Sequence, residues 1–283
     1  MRSKKLKLIV GALLVTMVGA TFVGCGSNGS SDNNTASNKD ATTISISGST
    51  SVGPLMEKIQ EKYESENSNV TLEIQQNGSG AGIKDVISGI SEVGMSSREL
   101  KDDEKTSVQG SIVAYDGIAL LVNTENPVKN ISLEDVKKIY TGEITNWKEL
   151  GGDDSPIVVV SREEGSGTRD AFQEIVGYES EELVKDATIS DGSGAVKTTV
   201  AGNKNAIGFA SFEYIDDTVA ALNIDDVEPT ADNVKAGSYK ISRPFILVTK
   251  EDSLTEEGQK LIDFVLSAEG QQIVGENKLI TIE

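Results

Sequence analysis

The chain has 283 residues, 26 basic and 45 acidic, for a formal net charge of −19, with no histidine and one cysteine. Without histidine, Ser-His-Asp and Cys-His catalysis, histidine-rich zinc sites and a histidine pH switch are excluded. One cysteine forbids an internal disulfide framework, and the acidic balance argues against nucleic acid as a partner. At 25% charged and 37% hydrophobic, the composition is that of a globular protein with one large or two medium domains.

Residues 1–24 read as an export signal. Arg2, Lys4, Lys5 and Lys7 supply a positive start, Leu6 to Phe22 an apolar stretch, and Val23-Gly24-Cys25 the end. The pattern resembles a lipoprotein signal, in which small residues precede a cysteine that is lipidated and becomes the new N-terminus; Phe22 stands where a leucine is commoner. An uncleaved anchor is the alternative, although the run is short for a span of ~20 residues. Cutting before Cys25 removes four positive charges, leaving 22 basic against 45 acidic residues, or −23. Residues 25–41 then form a lipidated, flexible tether. Gly26 to Ala41 is Ser-, Asn-, Gly- and Asp-rich, and as a coil it spans roughly 20 to 24 Å.

From residue 42 the chain repeats one theme three times. Ile44 and Ile46 alternate as in a half-buried strand, Gly48-Ser49-Thr50-Ser51 interrupts it, and Val52, Leu55, Met56, Ile59 and Tyr63 follow at helical spacing. Val70, Leu72 and Ile74 predict a second strand, Asn77 to Gly82 a second turn, and Ile83, Val86, Ile87 and Ile90 a second helix. Ile157 to Val160 predicts a buried strand, Arg162 to Thr168 a third turn, and Phe172, Ile175 and Val176 a third helix. Alternating strands and helices predict an α/β fold with parallel sheets. A helix start carries unpaired N–H groups and the positive end of the dipole, so hydroxyls and glycines at three such starts suit an anion; ordinary capping is the other account of each turn.

Arginine is sparse beyond residue 24, four against eighteen lysines. Arg98, Arg162 and Arg169 lie beside Gly/Ser turns, where a planar fork suits an oxyanion, and surface ion pairing is the alternative. Arg169 is the readiest of these for a plain ion pair, and Arg98 is expected to pair with Glu99. The chain has no GxSxG elbow, phosphate loop or dinucleotide fingerprint, and Asp102-Asp103 and Asp153-Asp154 lack a liganding pattern. No catalytic residue, cofactor or metal is expected.

Gly48 to Pro54, the NGSGAG turn, Gly94-Met95-Ser96-Ser97, Tyr140 to Trp147 (YTGEITNW) and Ser161 to Thr168 (SREEGSGT) together resemble the phosphate-binding protein of the bacterial phosphate ABC importer. The resemblance covers nearly all of residues 42–283, and its most specific piece is R-x-x-G-S-G-T. It implies a two-lobed periplasmic-binding-protein type II fold, with two parallel-rich mixed sheets joined by a two-strand hinge. Lobe I would hold 42–117 and 248–283, and lobe II 118–247. The crossovers would fall near Ile118 to Val122 and Pro244 to Val248, and Leu261 to Val274 would be one returning helix. Phosphate would be held by Ser49, Thr50, Ser51, Ser79 and Ser97 from lobe I, and by Arg162, Ser166, Gly167 and Thr168 from lobe II. Cys25 would carry the lipid. A monomer on the outer face of the cytoplasmic membrane, delivering phosphate to permease subunits, is the implied whole. Ser97 departs from the family's aspartate, which puts sulfate rejection in doubt. Two alternatives stay open: the same fold for sulfate, molybdate, tungstate or a phosphonate, and a phosphoesterase using Ser166.

Overall fold

The structure, a computed structural model, describes residues 41–282; the signal segment, Cys25 and the tether as far as residue 40 lie outside the described residues. Ile44 and Ile46 of β1 (Thr42–Gly48) are buried, and the chain then turns into α1 (Gly53–Glu66), which buries Leu55, Met56, Ile59 and Tyr63. The unit recurs as β2 (Val70–Gln76) and α2 (Ser79–Ser88), and β3 (Val93–Ser96) follows. Next comes β4 (Gln109–Asn123), whose 15 residues reach about 50 Å, enough to cross from one lobe to the other.

Beyond it lie β5 (Asn130–Ile131), α3 (Leu133–Tyr140), β6 (Val158–Arg162), α4 (Gly167–Val176), β7 (Thr188–Ser190) and α5 (Ser193–Ala201). They are followed by β8 (Ala206–Ser211), β9 (Val219–Ala221), β10 (Asn223–Ile224) and α6 (Ala231–Lys235). The chain returns through β11 (Ser242–Thr249) to α7 (Glu256–Leu266) and α8 (Ala268–Glu276). The single returning helix expected over 261–274 is broken at Ser267. Its hydroxyl donates to Phe264 O at 2.6 Å and accepts from Gly270 N at 3.3 Å, ending α7 and capping α8 with one side chain.

The architecture is α/β in two lobes. Nine strands run in one path, β2-β1-β3-β11-β4-β8-β6-β7 with β9 also on β4, and β5 and β10 pair as a separate two-stranded sheet. The sheets of the two lobes run on into each other through β4, whose first half pairs with β11 and whose second half pairs with β8 and β9. Pairs β1–β2, β1–β3, β6–β7 and β6–β8 are parallel, so each lobe presents the ends of parallel strands and the starts of their helices on one side. Each lobe has its own core: Ile44, Leu55, Phe245, Leu247 and Leu261 in one, Leu121, Trp147, Phe172, Phe209 and Ile241 in the other.

The crossing itself sits at Gly117–Ile118 and Ile241–Ser242, where Ser242 pairs with Gly117 and Ile118 N donates to Ile241 O at 2.8 Å. The apolar run Pro244 to Val248 is therefore not the crossover, and the lobe II limit of 247 is corrected. Ile246 to Thr249 pair with β3 of lobe I, and Phe245 and Leu247 fill its core. Gly117 is needed at the crossing because an added Cβ would meet the Phe212 ring at 2.1 Å. Beside it Arg243 and Asp116, 3% and 0% exposed, form a 3.0 Å ion pair that spans β11 and β4.

Candidate functional site

Of the four helix starts at the cleft, only that of α4 carries a side-chain cap, from Ser166. α3, α6, α7 and α8 are each capped by a hydroxyl side chain, from Ser132, Thr230, Thr255 and Ser267. α1, α2 and α5 have no side-chain cap. α2 and α5 begin after Gly78 and Gly192, whose φ of 93° and 89° favour glycine. Their opening N–H groups donate across the cleft, Gly80 N to Gly165 O at 3.0 Å and Ser193 N to Thr50 Oγ1 at 3.2 Å. Helix starts that leave donors for a partner on the opposite lobe are the physical basis of anion binding.

Hydroxyls from the two lobes interleave between these starts. Thr168 Oγ1 of lobe II lies 2.9 Å from Ser51 Oγ of lobe I, which lies 2.9 Å from Ser193 Oγ of lobe II, itself 3.3 Å from Thr50 Oγ1 of lobe I. Ser79 Oγ lies 3.2 Å from Ser97 Oγ and accepts from Ser97 N at 3.1 Å. Gly167 faces this pair so closely that a Cβ there would come within 2.3 Å of Ser79 Oγ. Tyr214 Oη donates to Thr50 O at 2.8 Å.

Arg162, 1% exposed at the end of β6, is the charged centre of the cluster. Its Nη2 donates to Thr50 Oγ1 at 3.1 Å and its Nη1 to Ser193 Oγ at 3.0 Å. Glu163 takes the opposite edge, accepting from Nε at 2.7 Å and from Nη2 at 2.6 Å, and its Oε2 also accepts from Gly192 N. Burial acts to raise the Glu163 carboxyl, but the bonds and charge of Arg162 outweigh it and hold the group below its ordinary value. The carboxylate is thus committed to the guanidinium, and the remaining lining is alcohol and amide. Among the described residues, no cluster of acidic or sulfur side chains is placed to hold a metal ion.

The structure brings Thr50, Ser51, Ser79, Ser97, Arg162, Gly167 and Thr168 together across the cleft. Ser49 turns back on its own loop, its Oγ accepting from Ser51 N and Val52 N at 3.2 and 3.3 Å. Ser166 Oγ caps α4 by accepting from Arg169 N. Arg98 pairs with Glu104 at 2.8 Å and with Asp170 at 3.1 Å, so the expected partner Glu99 is replaced. Its side-chain contact with Glu99 is to the backbone oxygen. Arg169 is not the simple ion-pair partner expected; its Nη1 donates to Arg162 O. Sequence reasoning missed Ser193, Glu163's hold on Arg162, and Tyr214. For Ser193 a signal existed, since Gly192-Ser193-Gly194-Ala195 repeats Gly78-Ser79-Gly80-Ala81.

Two α/β lobes on crossing strands, with an arginine and hydroxyls gathered where they meet, define a two-lobed binding protein for a small oxyanion. The chain belongs to the PBP superfamily, whose domain matches residues 33–269, and within it to the family of the phosphate-binding protein PstS. The Bacillus subtilis phosphate-binding protein PstS is 34% identical over 282 residues, covering 97% of this chain and 92% of the relative. A Clostridium perfringens structure, described as a phosphate ABC transporter substrate-binding protein with bound phosphate, is 57% identical, with a TM-score of 0.84 over 85% of this chain and all of that one. An ABC-type phosphate transport receptor from Vibrio cholerae is 35% identical, with a TM-score of 0.71 over 84% and 99% of the two chains.

Proposed function

We propose that the cleft captures inorganic phosphate and that the protein delivers it to the permease of an ABC importer. The observation that carries this is the convergence on one buried guanidinium, Arg162, of hydroxyls from both lobes. The phosphate-binding relatives support the same reading. Each hydrogen bond to a charged ligand contributes ~1.5 to 3 kcal/mol, so several together outweigh dehydration of the anion and the ordering of the lobes. Thr50, Ser51, Ser79, Ser97, Arg162, Gly167 and Thr168 are the contact residues in this reading. Ser49 and Ser166 hold the turns that present them.

With Cys25 lipidated and residues 26–41 as tether, the domain works as a monomer at the outer face of the cytoplasmic membrane. No helix among the described residues is long and apolar enough to cross a membrane. With Ser97 in place of a carboxylate, rejection of sulfate rests on unpaired polar groups and not on charge repulsion. The phosphoesterase reading is not favoured: Ser166 Oγ caps a helix, and the chain has no histidine to deprotonate it.

Titration calorimetry of the full-length protein with phosphate tests the proposal. Saturation at one equivalent is expected. Replacing Arg162 with Ala should weaken binding at least ~30-fold, the counterpart of about 2 kcal/mol. Absence of heat at millimolar phosphate would sink it.

A further inference from the structure

Ser193 is a site hydroxyl that the resemblance does not assign, and it is fully buried at 0% exposure. Its Oγ accepts from Arg162 Nη1 at 3.0 Å and lies 2.9 Å from Ser51 Oγ and 3.3 Å from Thr50 Oγ1, while its N–H donates to Thr50 Oγ1. One residue earlier, Gly192 N donates at 3.2 Å to the Glu163 oxygen that grips Arg162 Nε. The Gly192–Ser193 turn therefore holds the guanidinium at both edges, through Glu163 on one side and through the Ser193 hydroxyl on the other. The same hydroxyl reaches two alcohols of lobe I, so its full set of bonds exists only while the lobes meet.

We infer that Ser193 is a positioning residue for anion capture. It fixes the guanidinium plane of Arg162, ties lobe II to the first turn of lobe I through Thr50 and Ser51, and so sets how long the anion stays bound. The inference rests on the reading of the cleft as a phosphate site. A guanidinium offers two parallel N–H groups to a tetrahedral anion only in one plane, and a buried side chain that has lost one anchor spends part of its time out of that plane. The position is not accidental in the fold. Ser79 opens α2 behind Gly78 as Ser193 opens α5 behind Gly192, and each meets the opposite lobe, Ser79 at Gly167 and Ser193 at Thr50 and Ser51.

Stopped-flow release and calorimetry on full-length wild type, Ser193→Ala, Thr50→Ala, the double variant and Ser190→Ala test this. Ser190 is a buried control on the same turn, directed at Thr199 Oγ1. Phosphate should leave Ser193→Ala about tenfold faster or more, the equivalent of ~1.4 kcal/mol, with the association rate within about twofold. The double variant should lose less than the sum of the single losses, because both substitutions break one link, and Ser190→Ala should release at the wild-type rate. Wild-type release from Ser193→Ala, strict additivity with Thr50→Ala, or a slowed association alone would each overturn the inference while leaving the phosphate site standing. A wild-type protein that does not bind phosphate would instead overturn the site reading, and this inference with it.

Discussion

Glu213 is the residue whose surroundings most oppose its charge. It follows β8 beside the crossing strands; both carboxyl oxygens are buried without a well-formed hydrogen bond, and the neighbouring Ser211 hydroxyl is committed to Asp116 at 2.8 Å. Burial first, and then the negative charge of Asp116, push the carboxyl up to about 9, with Arg243 only partly offsetting them. Burial and the Glu213 charge likewise push Tyr214, the residue that holds Thr50 O, up to about 12. An acid held protonated when folded but ionised when unfolded takes up a proton on folding, so the unfolded state binds fewer protons and stability falls as pH rises. The window runs from its ordinary value of 4.5 to about 9. Glu213→Gln should remove a slope of up to ~1.4 kcal/mol per pH unit. Chemical denaturation of both proteins across that window should show the variant gaining on wild type as pH rises; parallel profiles would refute the assignment.

At the scale of elements, the molecule is one strand–turn–helix unit used four times, and the units differ in how loudly the sequence announces them. β1, β2 and β6 have apolar runs long enough to show a period, so the turns at Ser49, Ser79 and Arg162 stand out. β7 has three residues and leaves Ile189 half exposed, so no strand periodicity marked the turn at Ser193, and only the repeat of Gly78-Ser79-Gly80-Ala81 at Gly192 to Ala195 pointed to it. The run Pro244 to Val248 revealed burial but not which lobe it was buried in, because hydrophobicity records the loss of water and not the identity of the neighbour. The Tyr140 to Trp147 segment, a specific part of the resemblance, supports the site at one remove. Tyr140 packs edge-on against Phe172 and donates to Val160 O, two residues before Arg162. Gly167 opens α4, and the three atoms nearest to a Cβ placed on it all belong to lobe I: Ser79 Oγ at 2.3 Å, Ser79 Cβ at 2.8 Å and Ser97 Oγ at 3.0 Å. Gly167→Ala should therefore leave lobe II intact, even stabilising its helix by up to ~1 kcal/mol, while phosphate affinity drops at least ~10-fold because the lobes can no longer meet. Wild-type affinity in calorimetry would show that this contact is not part of capture.

For the whole molecule, the contrast between the cores and the cleft decides whether closure can be undone. The hydrophobic clusters of lobe I are separate from that of lobe II, and contacts between the lobes away from the crossing strands include polar ones: Gly80 to Gly165, Tyr214 to Thr50, Lys278 to Ile215 O and Arg98 to Asp170. An apolar interface would hold the lobes shut with or without ligand, whereas polar groups exchange readily for water, and the bound anion then supplies the balance. Arg98 makes the clearest of these contacts at the cleft rim. Its guanidinium is held by both Glu104 oxygens on its own lobe, and its Nε faces Asp170 on α4 of the other at 3.1 Å. Asp170 is about one-third exposed, with Lys101 also at 3.6 Å, so the pair contributes no more than about 1 kcal/mol and is screened by salt. Asp170→Asn removes the charge across the rim and spares the Arg98–Glu104 pair, so phosphate should leave about two- to fivefold faster at low ionic strength. That difference should shrink toward nothing as salt rises past a Debye length of ~3 Å at about 1 M. A variant whose excess release rate is the same at every salt concentration would mean that Asp170 acts through α4, at whose first turn it sits, and that the rim pair does not latch the lobes.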